Sequence, residues 1–160
     1  MYTLRKLQDA DTELVQEWLN QDYIAKWFGN SSEWMVEING RNKDFAFIKH
    51  FIIESDGQPI GFCQYYDCSE LNAESSEKQA PSGVYGIDYL IGEASLLGKG
   101  IGKQIVKLIC DEVLADQAHV IQITADPTIE KDNVNIASIR ALKANQFCYD
   151  KESRIFRKLI

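Results

Sequence analysis

The sequence predicts a single α/β domain over residues 1–160, with a mixed, twisted sheet of about seven strands flanked by about four helices. Three observations support this fold class. A length of 160 residues with 45% hydrophobic residues suits one globular domain with a buried core. Strand-like and helix-like segments follow one another in the order β-α-α-β-β-β-α-β-α-β-β. In the middle of that order, residues 85–111 read as a strand, a glycine-rich turn and a helix.

The N-terminal region combines one strand with two helices. Residues 2–7 alternate apolar and polar side chains, which predicts a strand, and the following acids favour a helix start. The buried stripe of that helix consists of Leu14, Val15, Trp18 and Leu19. Aromatic residues crowd residues 23–28, and a second short helix is predicted from about Ser32 to Asn39. Trp27 and Trp34 are equally compatible with packing and with contact to a ligand ring.

Two apolar strands follow, over residues 47–54 and 59–66, and a glycine-containing hairpin turn joins them. Residues 67–83 then form a long polar loop that contains Asp67, Glu70, Glu74 and Glu77. Loops of this length are often functional. We interpret this one as a carboxylate-rich flap that binds a ligand, and a merely solvated loop is the alternative.

The central strand has apolar residues on both faces, which indicates a position inside the sheet. Glycines let the backbone approach an anion closely and adopt positive φ, while a helix N-terminus presents unpaired N–H groups and partial positive charge. The turn after this strand is therefore predicted to bind phosphate oxygens. A tight turn without a ligand is the alternative. The residues of the turn are Leu97, Gly98, Lys99, Gly100, Ile101, Gly102 and Lys103.

The C-terminal region completes the sheet. Residues 120–125 predict a strand that Asp126-Pro127 ends, residues 128–133 a polar connection, and residues 135–145 a helix. A closing hairpin is predicted from residues 147–149 and 154–159.

Composition restricts the classes of partner. A net charge of −7 disfavours nucleic acid and anionic membrane, and it suits a small cationic amine substrate. No apolar run reaches membrane-spanning length, and no signal-peptide core is present at the N-terminus. The four cysteines have no zinc spacing, so we expect no metal site and reduced thiols in a cytoplasmic protein. A monomer and a homodimer are both compatible with the sequence.

A strand, then x-x-x-G-x-G, then an amphipathic helix resembles the coenzyme A pyrophosphate loop of the GCN5-related N-acetyltransferases. Ser95 opens the hexapeptide, where that family usually has Gln or Arg. The chain is similar in motif order and spacing to one branch, the aminoglycoside 6'-N-acetyltransferases. The similar segments are residues 85–88, 91–93, 98–102, 123–127 and 135–147.

This resemblance implies acetyl-CoA as co-substrate and assigns its binding residues. The fourth and fifth strands would splay apart around the pantetheine arm, where Tyr89, Leu90 and Ile91 would hold the arm and the acetyl group. Residues 97–103 would bind the pyrophosphate, and Asn135 would contact the lower arm.

Asp88 is the predicted catalytic residue. An aspartate inside an apolar strand is costly to bury unless it is paired or functional. In the resembling branch this aspartate acts on the 6'-amine as base or anchor, so we expect Asp88 to bind substrate as well. Asp126 matches a branch aspartate that binds ammonium groups, and Trp27 and Glu70 complete the predicted acceptor site. For Asp88 a satisfied structural carboxylate is the alternative.

One departure from the family concerns the leaving thiolate. Many members protonate it with a Tyr in the last helix, and Leu142 stands at that position here. Water or Tyr149 would then have to serve. The predicted function is acetyl transfer to the 6'-amine of an aminoglycoside, as in antibiotic resistance. The alternatives are another amine (a polyamine, an amino sugar or a peptide N-terminus) and an acetyl-CoA-binding module with weak turnover.

Overall fold

The computed structural model describes residues 1–71 and 80–160. Its strands are β1 (Tyr2–Lys6), β2 (Ile48–Ser55), β3 (Gln58–Asp67), β4 (Val84–Ile91), β5 (Gln122–Ala125), β6 (Ile129–Glu130), β7 (Asn133–Val134), β8 (Cys148–Asp150) and β9 (Ile155–Leu159). Its α-helices are α1 (Thr12–Leu19), α2 (Asp22–Phe28), α3 (Ser31–Asn39), α4 (Gly102–Asp116) and α5 (Ile136–Lys143). The predicted fold class is confirmed.

Two elements differ from the prediction. The aromatic segment before the second predicted helix is itself the helix α2, which buries Ile24 and ends at Gly29 with a φ of 70°. Dense aromatic residues obscure its helical period in the sequence. The polar connection predicted at residues 128–133 contains the short ribbon β6–β7.

The seven-stranded sheet has the order β1-β2-β3-β4-β5-β9-β8. Every neighbouring pair is antiparallel except β4 and β5, which run parallel. The hairpin between β2 and β3 turns at Asp56 and Gly57, which have φ values of 49° and 80°. These positive values suit the tight turn that the Asp-Gly pair predicts.

Each face of the sheet packs against its own group of helices. Residues Ile52, Phe62 and Leu90 of the sheet contact the apolar faces of α1–α3, including Trp18 at 2% exposure. The opposite face, with Ile87 among its residues, packs against α4 and α5. Side chains of β4 alternate between these two cores, because successive residues of a strand point to opposite faces.

The β4–β5 pairing is short and defines the site. β4 pairs with β3 from Tyr85 to Ile91, whereas it pairs with β5 only over the three residues Val84, Tyr85 and Gly86. β5 ends at Ala125. Residues 87–91 therefore have one edge without a partner strand among the described residues. The expected splay of the two strands stays a prediction.

The close packing of α1 on the end of β4 yields a prediction. A Cβ on Gly92 would stand 2.2 Å from ring atoms of Trp18, which is fully enclosed. We expect Gly92→Ala to lower the free energy of unfolding by about 1–3 kcal/mol through overpacking, measured by urea denaturation.

Gly102→Ala is the matched control. Its Cβ would meet the Ala141 Cβ at 3.4 Å, an ordinary contact, and alanine favours the helix over glycine. We expect this variant to be at least as stable as the wild type. A Gly92→Ala midpoint equal to that of the wild type would contradict the packing account.

Candidate active site

A cleft of about 560 Å³ opens where β4 leaves β5. Its walls come from the second half of β4, the turn before α4, the end of β5, the start of α5, and the aromatic side chains of α2 and α3. The predicted site residues that line it are Trp27, Asp88, Tyr89, Leu90, Ile91, Leu97, Gly98, Gly100, Ile101, Gly102, Lys103, Asp126 and Asn135.

The glycine turn forms one end of the cleft. Gly98 and Gly100 have φ values of 74° and 72°, and no atom lies within 4 Å of a Cβ built on either. Glycine is therefore needed at these two positions for the positive φ, and space for a close neighbour is not the reason. α4 begins at Gly102, so the first N–H groups of this 15-residue helix lack intrahelical acceptors. Lys103 lines the cleft, whereas Lys99 is exposed and does not.

The second half of β4 forms the floor. Tyr89 points toward α5, where its hydroxyl lies 2.8 Å from the Ser138 Oγ. Burial raises the pKa of the Tyr89 phenol to about 12, so it stays protonated at neutral pH. At the end of the strand, the Tyr23 hydroxyl donates to the carbonyl oxygens of Gly92 (2.7 Å) and Ile91 (3.1 Å). This bond ties α2 to the strand.

Asp88 lies on the opposite face of β4, half-buried beside α3. The Gln64 Nε2 donates a hydrogen bond of 3.0 Å to the Asp88 Oδ2. Burial raises the pKa of Asp88 to about 6, the Gln64 bond opposes that rise, and the carboxylates of Glu37 and Asp126 add to it. A carboxyl group with this pKa can accept a proton near neutral pH.

Two carboxyl groups from different elements line the cleft, Asp88 of β4 and Asp126 after β5. Glu37 of α3 does not line it, but its charge also acts on Asp88. Burial also raises the pKa of Glu37. The Tyr66 ring lies over Gly86, where a Cβ would stand 2.3 Å from it. Burial and these same carboxylates raise the pKa of Tyr66. The arrangement suits a cationic ligand, since positive charge would relieve the repulsion.

Asn135 and the aromatic residues of α2 and α3 make contacts within the protein. Asn135 caps α5, because its Oδ1 accepts a hydrogen bond of 3.1 Å from the Ser138 N–H. Lys26 Nζ lies 4.5 Å from the centroid of the Trp27 ring, and Trp34 packs on Phe28 with its Nε1 donating to the Phe28 carbonyl.

The described residues of the predicted flap, 67–71 and 80–83, do not line the cleft. Glu70 is exposed and does not line it. Glu74 and Glu77 lie outside the described residues.

Neither Leu142, which stands at the family's Tyr position, nor Tyr149, the candidate replacement donor, lines the cleft. Leu142 is 0% exposed and belongs to the core beneath α4 and α5. Tyr149 lies on β8, packs on Phe156 with ring centroids 5.3 Å apart, and does not line the cleft. Tyr89 is the phenol on the α5 side of the cleft.

Two residues near this site escaped sequence reasoning: Gln64 and Ser138. Tyr23 lies in the aromatic segment 23–28 and Glu37 in the second predicted helix, and neither received a role of its own. Gln64 interrupts an apolar strand, which is the same signal that marked Asp88.

Among the described residues, no group of three or more His, Cys, Asp and Glu side chains could hold a metal ion. In that same part of the chain, no helix has the length and hydropathy needed to cross a bilayer.

The sequence matches known proteins along most of its length. Residues 8–155 match the model of an acetyltransferase (GNAT) domain. The chain is 28% identical, over 93% of its length and 71% of the relative's, to the aminoglycoside N(6')-acetyltransferase type 1 of Klebsiella pneumoniae. Over 47% of its length it is 33% identical to a kanamycin resistance protein of Rhizobium radiobacter, covering 58% of that protein.

Solved structures show the same fold. The aminoglycoside acetyltransferase AAC(6')-Ib in complex with coenzyme A superposes with a TM-score of 0.81 at 24% identity, covering 99% of this chain and 95% of that one. An aminoglycoside N(6')acetyltransferase from Legionella pneumophila superposes with a TM-score of 0.71 at 16% identity, with coverage of 99% and 91%. Because the domain model spans nearly the whole sequence, the chain belongs to the GNAT acetyltransferase family.

Proposed function

We propose that this chain is an acetyl-CoA-dependent N-acetyltransferase that acts on the 6'-amine of an aminoglycoside and so confers antibiotic resistance. Asp88 carries the proposal, because it is a carboxyl group with a pKa near 6 in a cleft along the part of β4 that has no partner strand on one edge among the described residues. The relatives named as aminoglycoside N(6')-acetyltransferases support the choice of acceptor.

The chain's own residues fit acetyl-CoA, which supplies the acetyl thioester. The open glycine turn and the first N–H groups of α4 provide donors for a pyrophosphate, with Lys103 adding positive charge. Residues 87–91 offer backbone groups on an edge without a partner strand among the described residues. Such groups need a hydrogen-bonding partner when they are covered.

Asp88 would bind the acceptor's ammonium group and take up its proton, leaving the free amine as nucleophile. A base with a pKa near the working pH combines a high fraction of the ionised form with useful basicity. Asp126 and Trp27, on either side of the cleft, would hold a second ammonium group and a sugar face. A role for Glu70 stays a prediction.

The Tyr89 hydroxyl would supply the proton that the departing thiolate needs. It faces the cleft, keeps its proton at neutral pH, and is held by the Ser138 hydroxyl at 2.8 Å. This residue takes the place that a last-helix Tyr has in many relatives of the family.

A second candidate function is an acetyl-CoA-binding module with weak turnover. The apolar, fully buried Leu142 favours it. A cytoplasmic location stays a prediction, and the four unpaired cysteines are compatible with it.

Thiol release from acetyl-CoA tests the proposed function. The acceptors would be kanamycin-type compounds, their analogues with hydroxyl in place of the 6'-amine, polyamines and short peptides. We expect turnover only when the 6'-amine is present, and we expect Asp88→Asn to lower kcat/KM by roughly 10²–10³-fold because the base is lost. Asp132→Asn, an exposed carboxylate outside the cleft, is the control.

Turnover only on the other amines would exclude the aminoglycoside as acceptor. Binding of acetyl-CoA without turnover would favour the acetyl-CoA-binding module.

Tyr89→Phe and Tyr149→Phe separate the two candidate proton donors. We expect Tyr89→Phe to lower kcat by roughly tenfold or more, with KM for acetyl-CoA little changed, because only the hydroxyl is removed. Tyr149→Phe should match the wild type in steady-state kinetics. The reverse pattern would show that the Tyr89 assignment is wrong.

A further inference from the structure

Asp88 ends a polar row that crosses three strands of the sheet. The register pairs His50 of β2 with Gln64 of β3 and Gln64 with Asp88 of β4, so the three side chains lie next to one another on one face. His50 and Gln64 are 6% and 2% exposed. The next row along the strands is apolar and buried, and consists of Ile52, Phe62 and Leu90. Because burying an amide costs free energy, Gln64 needs a reason other than core packing.

The hydrogen bond of the Gln64 amide supplies that reason. Its Nε2 donates to the Asp88 Oδ2 at 3.0 Å. Its Oε1 is buried without a hydrogen-bond partner among the described residues. An ionised carboxylate only accepts hydrogen bonds, so the amide has to present its NH₂ group to Asp88 and turn its oxygen away. The side chain thus leaves its own oxygen unpaired within the described structure and keeps the bond to Asp88.

His50 lies behind the amide and places no charge there. Its ring packs on Phe62 with the ring centroids 5.9 Å apart, and neither ring nitrogen has a hydrogen-bond partner in the described part of the chain. Burial lowers the pKa of His50 to about 4, so the ring is neutral at neutral pH. Close packing in a core restricts the movement of each side chain. The His50 ring therefore confines Gln64 by shape and leaves the Gln64–Asp88 bond as its polar contact.

The two oxygens of the Asp88 carboxyl group have different surroundings. Oδ2 accepts the hydrogen bond from Gln64 on β3. Oδ1 has no hydrogen-bond partner among the described residues and is not fully buried. Asp88 lines the cleft, on the stretch of β4 that has no partner strand on one edge in the described structure. The bond from Gln64 thus engages one oxygen toward β3 and leaves the other available to the cleft.

We propose that Gln64 is a positioning residue for the base of the reaction: its Nε2 holds Asp88 by Oδ2, so that Oδ1 is the oxygen that takes the proton from the acceptor's ammonium group. The nitrogen of that group keeps its electron pair and becomes the nucleophile. The proton transfer rests on the proposed acetyl transfer, whereas the orientation of Asp88 rests on the hydrogen bond and the strand register alone.

Orientation and ionisation have different pH signatures. A donor to a carboxylate favours its charged form, so loss of the Gln64 bond raises the pKa of Asp88. The other titratable groups around Asp88 stay in place in such a variant, and they are Glu37 of α3, Tyr66 and Cys68 at the end of β3, and Asp126 after β5. A raised pKa is overcome at high pH, where Asp88 is ionised in either protein. A lost orientation is not restored there.

Carboxyl ¹³C NMR of protein labelled at the aspartate Cγ tests the bond without acceptor or acetyl-CoA, with the Asp88 signal assigned by its absence in Asp88→Asn. We expect Gln64→Met, which keeps the volume and removes the donor, to raise the Asp88 titration midpoint by roughly one pH unit. Gln58→Met makes the same change at an exposed position of β3 and should leave it unchanged. An unmoved midpoint in Gln64→Met would overturn the proposal.

Thermal unfolding reports whether the variant folds. We expect Gln64→Met to melt at or above the wild-type temperature, because it removes an unpaired buried oxygen. If it does not fold, Gln64→Asn, which withdraws the amide by one methylene, gives the same NMR and kinetic readouts.

The pH dependence of acetyl transfer to kanamycin tests the orientation. We expect kcat of Gln64→Met to stay roughly tenfold below the wild type at pH values above both midpoints, with KM for acetyl-CoA unchanged. Wild-type kcat at those pH values would overturn the positioning role. A wild type without acetyl transfer, together with a raised Asp88 midpoint in Gln64→Met, would defeat the proposed function and leave the hydrogen bond supported.

Discussion

The structure depends on where the parallel pairing of β4 and β5 stops. It covers only Val84, Tyr85 and Gly86, after which β4 continues along β3 and β5 ends at Ala125. Backbone N–H and C=O groups seldom stay unpaired when they are covered, so the edge at residues 87–91 favours a ligand that can hydrogen-bond like a strand. The gap also gives access to both faces of β4. As a result, Tyr89 and Asp88 line the same cleft from opposite faces of the sheet.

The two ends of the cleft have opposite electrostatic character. The helix N-terminus, the open glycine turn and Lys103 form an end that favours anions. Asp88 and Asp126 form an end that favours cations, and the charge of Glu37 acts on Asp88 from outside the cleft. A reaction between an anionic acyl carrier and a cationic amine needs this separation, because each partner then enters without competing for the other's contacts. The chain's net charge of −7 adds weak attraction for the cationic partner.

Local patterns in the sequence predict the fold and the end of the cleft that favours anions. They predict only part of the end that favours cations. Gly98 and Gly100 are needed for positive φ, as expected, whereas Gly102 has no positive φ and a Cβ there would make only an ordinary contact with Ala141. Asp88 was identifiable because a charge inside an apolar strand is costly. Its hydrogen-bond partner Gln64 comes from another strand, so cross-strand register brings the two side chains together. Glu70 was selected from loop composition, which does not fix where a side chain points.

Backbone NMR of ¹⁵N-labelled protein titrated with coenzyme A tests the central claim that the free edge of β4 is the binding edge. We predict that the largest amide shift changes occur at residues 87–91 and 98–103, while the β8–β9 hairpin stays unchanged. Changes concentrated at that hairpin or at β1, with residues 87–91 unaffected, would contradict the account. Binding would then have to use another surface of the fold.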